Sequence, residues 1–263
     1  MFPSPPRSTP SSRVRLAFTL IELLLVISII AILVAILFPV LGMVRSRMDS
    51  AQCLSQLRQI GAGVSAYVND HNATLPGPLS FEQSAVYTPG QPGSLAALLE
   101  SYLGTASTIA PDGVNHYSPL FECPAAARKL HDPTKPTYLV NFLPLPEQGQ
   151  PIWGDVTQNQ QPLSFTALTN WSDATTGGTP LSLSETWAIQ DGDQNYVSEV
   201  NMYSGSVNDL LPTQAHGDHW NDLFFDFHAA SRNTLISVES PQGPSGTPAP
   251  TGSAGSAGSP SSP

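Results

Sequence analysis

Residues able to do chemistry crowd two short runs in the C-terminal half of the chain. "HGDHWNDLFFDFHAA" carries His216, Asp218, His219, Asp226 and His228. Imidazole nitrogens and carboxylates at such spacing are a zinc-type donor set, so His216, Asp226 and His228 are candidate metal ligands. The competing reading is structural: residues two apart on a strand share a face, which makes Asp226 and His228 a surface pair. "DGDQNYVSE" begins like a calcium loop, with Asp191, Asp193 and Asn195 alternating as oxygen ligands. Tyr196 stands where such a loop needs its sixth-position glycine, and Met202 where the bidentate glutamate belongs. An ordinary Asp/Gly turn is the alternative, and apart from calcium no cofactor is expected.

Two thiols complete the inventory. Cys53 and Cys123 would close a loop of about 70 residues if bridged, worth roughly 4 kcal/mol in a chain-entropy account. An exported head permits that disulfide; two unrelated thiols are the alternative. No G-x-S-x-G, Gly-rich phosphate loop, H-E-x-x-H or C-x-x-C motif occurs, so no enzyme activity is expected. Trp153, Trp171, Trp187 and Trp220 fit packing better than a glycan site. With 20 Asp and Glu against 10 Lys and Arg, a formal charge of −10 and no basic run, nucleic acid is not expected as a partner.

The elements that must carry these groups begin with an apolar run. From Phe18 to Val44 the only charge is Glu22, and the length suffices for a helix across a bilayer of about 30 Å. Past it, Met48, Ala51, Leu54, Leu57, Ile60, Val64, Tyr67 and Val68 recur at helical spacing, with Gln52, Gln56, Arg58 and Gln59 off the stripe. One rod from Leu20 to Val68 is predicted, bent at Pro39, where a backbone donor is lost. "SLAALLESYLG" predicts a short helix over 94–104, with Ser94 as its cap. "TYLVNF", "ETWAIQD" and "DLFFDFHAA" predict strands. The fold class is α+β: a long N-terminal helix, membrane half then amphipathic half, packed on a small antiparallel sheet head. The divisions are 1–17, 18–44, 45–72, a globular head over 73–240, and a Gly/Ser/Pro-rich tail over 241–263 that cannot build a core.

The opening "FTLIELLLVISIIAILVAILFP" resembles the N-terminus of type IV prepilins and type II secretion pseudopilins. The remainder resembles prepilin-type proteins with a C-terminal H-X9-DG domain. "AQCLSQLRQIGAGVSAYVNDHNATLP" is similar to their helix after the membrane, "FECP" and "YLVN" to their middle, and "HGDHWNDLFFDFHAA" to their closing motif. Two positions depart from the pattern. Ala17 replaces the glycine before the cut, and Phe227 replaces the glycine after Asp226, where a turn needing positive φ would have to be rebuilt.

The resemblance implies a leader of residues 1–17, cut between Ala17 and Phe18 by the prepilin peptidase, which then N-methylates Phe18. It implies a single-pass inner-membrane protein, N-terminus cytoplasmic and head extracytoplasmic. Its partners would be other pilin-like subunits and a pilus or secretion assembly platform. A carboxylate at mid-bilayer costs about 2.5–3.5 kcal/mol and less near an edge, so Glu22, about one turn into the run, either snorkels into the headgroups or has a partner; the resemblance supplies the amino terminus of Phe18 on a neighbouring subunit. The implied function is structural, as a filament subunit. The alternative is a membrane-anchored extracytoplasmic binding protein or enzyme built on the His/Asp group.

Overall fold

The apolar run and the amphipathic stretch after it form one helix, α1 (Leu20–Asp70). It belongs to a computed structural model that describes residues 19–104, 108–110, 112–142, 151–170, 172–173, 179–180, 182–200 and 209–233. Ala17, Phe18, Trp171, Met202 and the 241–263 tail lie outside the described residues. The chain divides into two units, 1–48 and 49–263.

In the first unit the helix is apolar all round. Leu24, Leu25, Ile29, Leu33 and Leu37 are all exposed among the described residues. The helical backbone continues through Pro39. Length and composition suit this segment to crossing a membrane.

In the second unit the helix turns one side inward. Cys53, Leu57, Ile60, Val64 and Val68 are buried at steps of three and four, which stack on one face. The stripe is rotated from the predicted one: Met48 and Ala51 are exposed, and Gln56, expected on the polar side, is buried. The reason is a polar match. Gln56 Nε2 donates to the carbonyls of Pro119 (2.8 Å) and Glu122 (3.2 Å), and its Oε1 accepts from Tyr138 Oη at 3.1 Å. Gly61 permits close approach to the sheet, since a Cβ there would meet Leu223 Cδ1 at 2.8 Å. The helix ends as Asn72 and Ala73 take positive φ and Ala73 N–H returns to the Val68 carbonyl.

After α1 come β1 (Glu82–Ser84), β2 (Val86–Tyr87), α2 (Leu95–Leu99), β3 (Thr108–Ile109), β4 (His116–Tyr117), α3 (Pro124–Leu130) and β5 (Pro136–Val140). Then follow α4 (Phe165–Asn170), β6 (Ser172–Asp173), β7 (Thr179–Pro180), β8 (Trp187–Asp191), α5 (Gln194–Val200), β9 (Trp220–Phe224) and β10 (Ala229–Arg232). Ser94 caps α2 as predicted, but the helix is shorter than the sequence suggested. The main sheet runs β1-β5-β8-β9-β10, antiparallel throughout; the α+β class therefore holds.

Every residue of β5, β8 and β9 is buried, because both faces of the sheet are covered. Tyr138, Val140 and Leu223 join the α1 stripe in one core, while Leu139, Trp187 and Phe224 pack with Tyr196, Val197 and Leu210 in another. The alternation follows the two-residue period of a strand. "DLFFDFHAA" is not one strand but a hairpin: β9, a turn through Asp226 and Phe227, and β10. Phe227 keeps the left-handed conformation (φ 67°) that favours glycine, so the turn is not rebuilt. Its ring stacks on Phe165 at 5.4 Å.

Candidate functional site

At the N-terminus, Thr19 and Glu22 close on each other. Glu22 Oε2 accepts from Thr19 N–H (2.9 Å) and Oγ1–H (2.7 Å), and Glu22 N–H donates to Thr19 Oγ1 at 3.3 Å. This reciprocal pair is a capping box, satisfying backbone donors that a helix start leaves free. The T-x-x-E spacing ahead of an apolar run is its sequence signal. Glu22 is exposed, so its carboxylate combines this local role with access to a neighbour.

The second unit brings four ligand-type groups to one point. Cys53 comes from the buried face of α1, Cys123 from the residue that precedes α3, Asp191 from the last position of β8, and His216 from the loop before β9. All four are buried, and their ligand atoms lie within 4.8 Å of one another. His216 Nε2 is 3.4 Å from Cys123 Sγ and 3.1 Å from Asp191 Oδ2. Both cysteines are free thiols.

Local bonds aim each group. Asp191 Oδ1 accepts from Asn221 N–H at 2.8 Å, while Oδ2 is buried without a hydrogen bond, its contact to His216 falling outside bonding geometry. Cys53 Sγ lies 3.2 Å from Tyr138 Oη. Cys123 N–H donates to Thr137 Oγ1 at 3.0 Å, and that hydroxyl donates to the Phe121 carbonyl at 3.0 Å. The His216 ring stacks on His219 at 5.4 Å, and its Nδ1 is buried without a hydrogen-bond partner.

Protonation is polarised across the group. Hydrogen bonding from Cys53 lowers the Cys123 thiol to about 6 against the cost of burial, with His216 helping. Burial, then its neighbour Cys123, pushes the Cys53 thiol well up. Burial opposes charge on His216, but Asp191 and Cys123 overcome it and lift the imidazole to about 9. This is not a nucleophile relay. In a Cys-His-Asp relay the thiol and the carboxylate engage opposite ring nitrogens, whereas here both face Nε2.

The remaining candidates lie elsewhere. Asp193 caps α5, its Oδ1 accepting from Tyr196 N–H at 3.0 Å and its Oδ2 from Trp220 Nε1–H. Asn195 lies on α5. Asp226 and His228 bond to each other in the exposed β9–β10 turn, where His228 also stacks on Phe224. His216 thus meets the two cysteines and Asp191, not Asp226 and His228. A second buried polar group lies near by: Arg232 Nε donates to Asp222 Oδ2 at 2.6 Å and Nη2 to Gln190 Oε1 at 2.8 Å.

No curated protein and no solved structure matches the chain. Residues 12–38 match the family described as the prokaryotic N-terminal methylation motif. That match, on a chain whose long N-terminal helix leads into antiparallel sheets, supports a type IV pilin or pseudopilin precursor, and the motif implies processing by prepilin peptidase and assembly with other pilins.

Proposed function

We propose that this chain is a structural subunit of a type IV pilus or type II secretion filament. The prepilin peptidase cuts it between Ala17 and Phe18 and N-methylates Phe18. The apolar part of α1 holds it in the inner membrane, with the N-terminus cytoplasmic and the head extracytoplasmic, until an assembly platform moves it into a filament. The observation that carries this reading is the methylation motif at 12–38, which runs into the first part of α1, where apolar side chains such as Leu24, Leu33 and Leu37 are exposed. The closing segment fits a divergent H-X9-DG turn, because Phe227 holds the backbone conformation that glycine would take.

In the filament, Glu22 pairs with the methylated amino terminus of Phe18 on a neighbouring subunit and fixes axial register. Its bonds to Thr19 make the test sharper, because a neutral glutamine also completes a capping box. Glu22→Val removes cap and charge; Glu22→Gln removes only the charge. Both variants should insert in the membrane, and both should lose subunit-to-subunit crosslinking about tenfold. If Glu22→Gln crosslinks like the unaltered chain, the residue is a cap and the register role is wrong.

A further inference from the structure

The geometry points to a structural metal site in the second unit, in which Cys53, Cys123, Asp191 and His216 hold one zinc-class divalent ion. It stands independently of the filament reading, since none of its ligands belongs to the N-terminal motif.

The separations are within about an ångström of those in a tetrahedral site. Bond lengths of about 2.3 Å to sulfur and 2.0–2.1 Å to nitrogen or oxygen give edges of roughly 3.3–3.8 Å. The two contacts at His216 Nε2 are 3.4 and 3.1 Å, and no pair in the group exceeds 4.8 Å. Closure of the wider pairs takes side-chain adjustments of about an ångström, without moving an element.

The donor set names the ion class. Two thiolates, one imidazole and one carboxylate suit zinc, while calcium and magnesium take oxygen ligands. Four protein ligands fill a tetrahedron and leave no open position, which marks a structural rather than a catalytic centre. On binding, both thiols give up their protons, and any imidazolium at His216 gives up its own. Two thiolates and a carboxylate then share a dication, leaving one negative charge to be stabilised in the core.

The surroundings are built for this. Asp191 Oδ1 is held by the Asn221 amide while Oδ2, buried and without a hydrogen bond, faces the other ligands. Tyr138 Oη lies 3.2 Å from Cys53 Sγ; its one proton goes to Gln56 Oε1 while Cys53 is a thiol, and would turn to the thiolate once metal binding removes the thiol proton. A Cys53–Cys123 disulfide would use only two of the four groups. It would leave the Asp191 carboxylate and the His216 ring to each other in the core, a costly arrangement. The ion would instead tie α1 to α3, to the main sheet and to the loop before β9.

The test uses the full chain, tag-free, purified in detergent without chelator. Elemental analysis should find about one zinc per chain. Exchange with Co²⁺ should give a thiolate-to-cobalt charge-transfer band. Cys123→Ser should abolish that band or weaken Co²⁺ binding at least tenfold, while Asp226→Ala combined with His228→Ala should leave it unchanged. Alkylation of the denatured, unreduced chain after chelation should modify both cysteines. A disulfide that blocks alkylation, free thiols with neither zinc nor a cobalt band, or a band lost in the Asp226/His228 variant would each overturn the site. The readings on the unaltered chain decide the matter even if Cys123→Ser fails to fold.

Discussion

The two units of this chain depart from ordinary surface chemistry in opposite directions. Between Leu20 and Met48, large apolar side chains face outward, from 45% exposed at Val26 to 81% at Leu20. From Asp49 onward, groups that normally face water are turned inward: Asp191, Asp193, Asn221 and Asp222 are at most 2% exposed. An apolar patch of that extent calls for an apolar partner, and buried polar groups call for bonds or an ion. The contrast teaches that one helix can serve two solvents. In its first part α1 presents an apolar surface suited by length and composition to a membrane; in its second it supplies one face of a core and one thiol of a polar cluster.

The comparison breaks most readily at the buried charges. Asp222→Ala would leave the Arg232 guanidinium, whose side chain is 11% exposed, with Gln190 as its one side-chain hydrogen-bond partner among the described residues. A loss of about 3–5 kcal/mol of unfolding free energy is expected for such an orphaned charge. Asp226→Ala, in the exposed turn, should change stability by less than about 0.5 kcal/mol. Denaturant unfolding of the detergent-solubilised chain checks both.

A paired leucine experiment sharpens the contrast along α1. Leu57 is fully buried, so Leu57→Ala should cost the head about 2–5 kcal/mol. Leu24 is 54% exposed, and Leu24→Ala should leave the head's unfolding midpoint where it was. Equal effects at the two positions would mean that the apolar segment is part of the head's core. A smaller loss than those at Asp222 and Leu57 is expected at Tyr138. Tyr138→Phe removes the hydroxyl beside Cys53 and should weaken Co²⁺ binding about tenfold, the lower end for an outer partner of a metal ligand. Titration by the charge-transfer band would measure it.

What was legible in the sequence was what is local or periodic. The apolar run, the Ser94 cap and strands β5, β8 and β9 all carry signals within a few residues. The T-x-x-E capping box was equally local, but Glu22 stood out by its charge and drew attention from Thr19. Helical periodicity sets Gln56 on the polar face, while the carbonyl partners that draw it inward, Pro119 and Glu122, are far along the chain. The buried cluster shows the limit most clearly. Residue type and spacing group Asp191 with Asp193 and Asn195, His216 with Asp226 and His228, and the two cysteines with each other. Asp191 comes from the end of β8, but Cys53, Cys123 and His216 arrive from α1, from the residue before α3 and from the loop before β9, and no spacing rule encodes that meeting.

The central claim, that this is a processed filament subunit, is tested most directly by the intact mass of the chain recovered from membranes of cells that contain a prepilin peptidase. The predicted species begins at Phe18 and carries one N-terminal methyl group. It should be replaced by the unprocessed chain when the peptidase is absent. A chain that retains residues 1–17 in the presence of active peptidase, or one cut after the apolar segment instead, would contradict it.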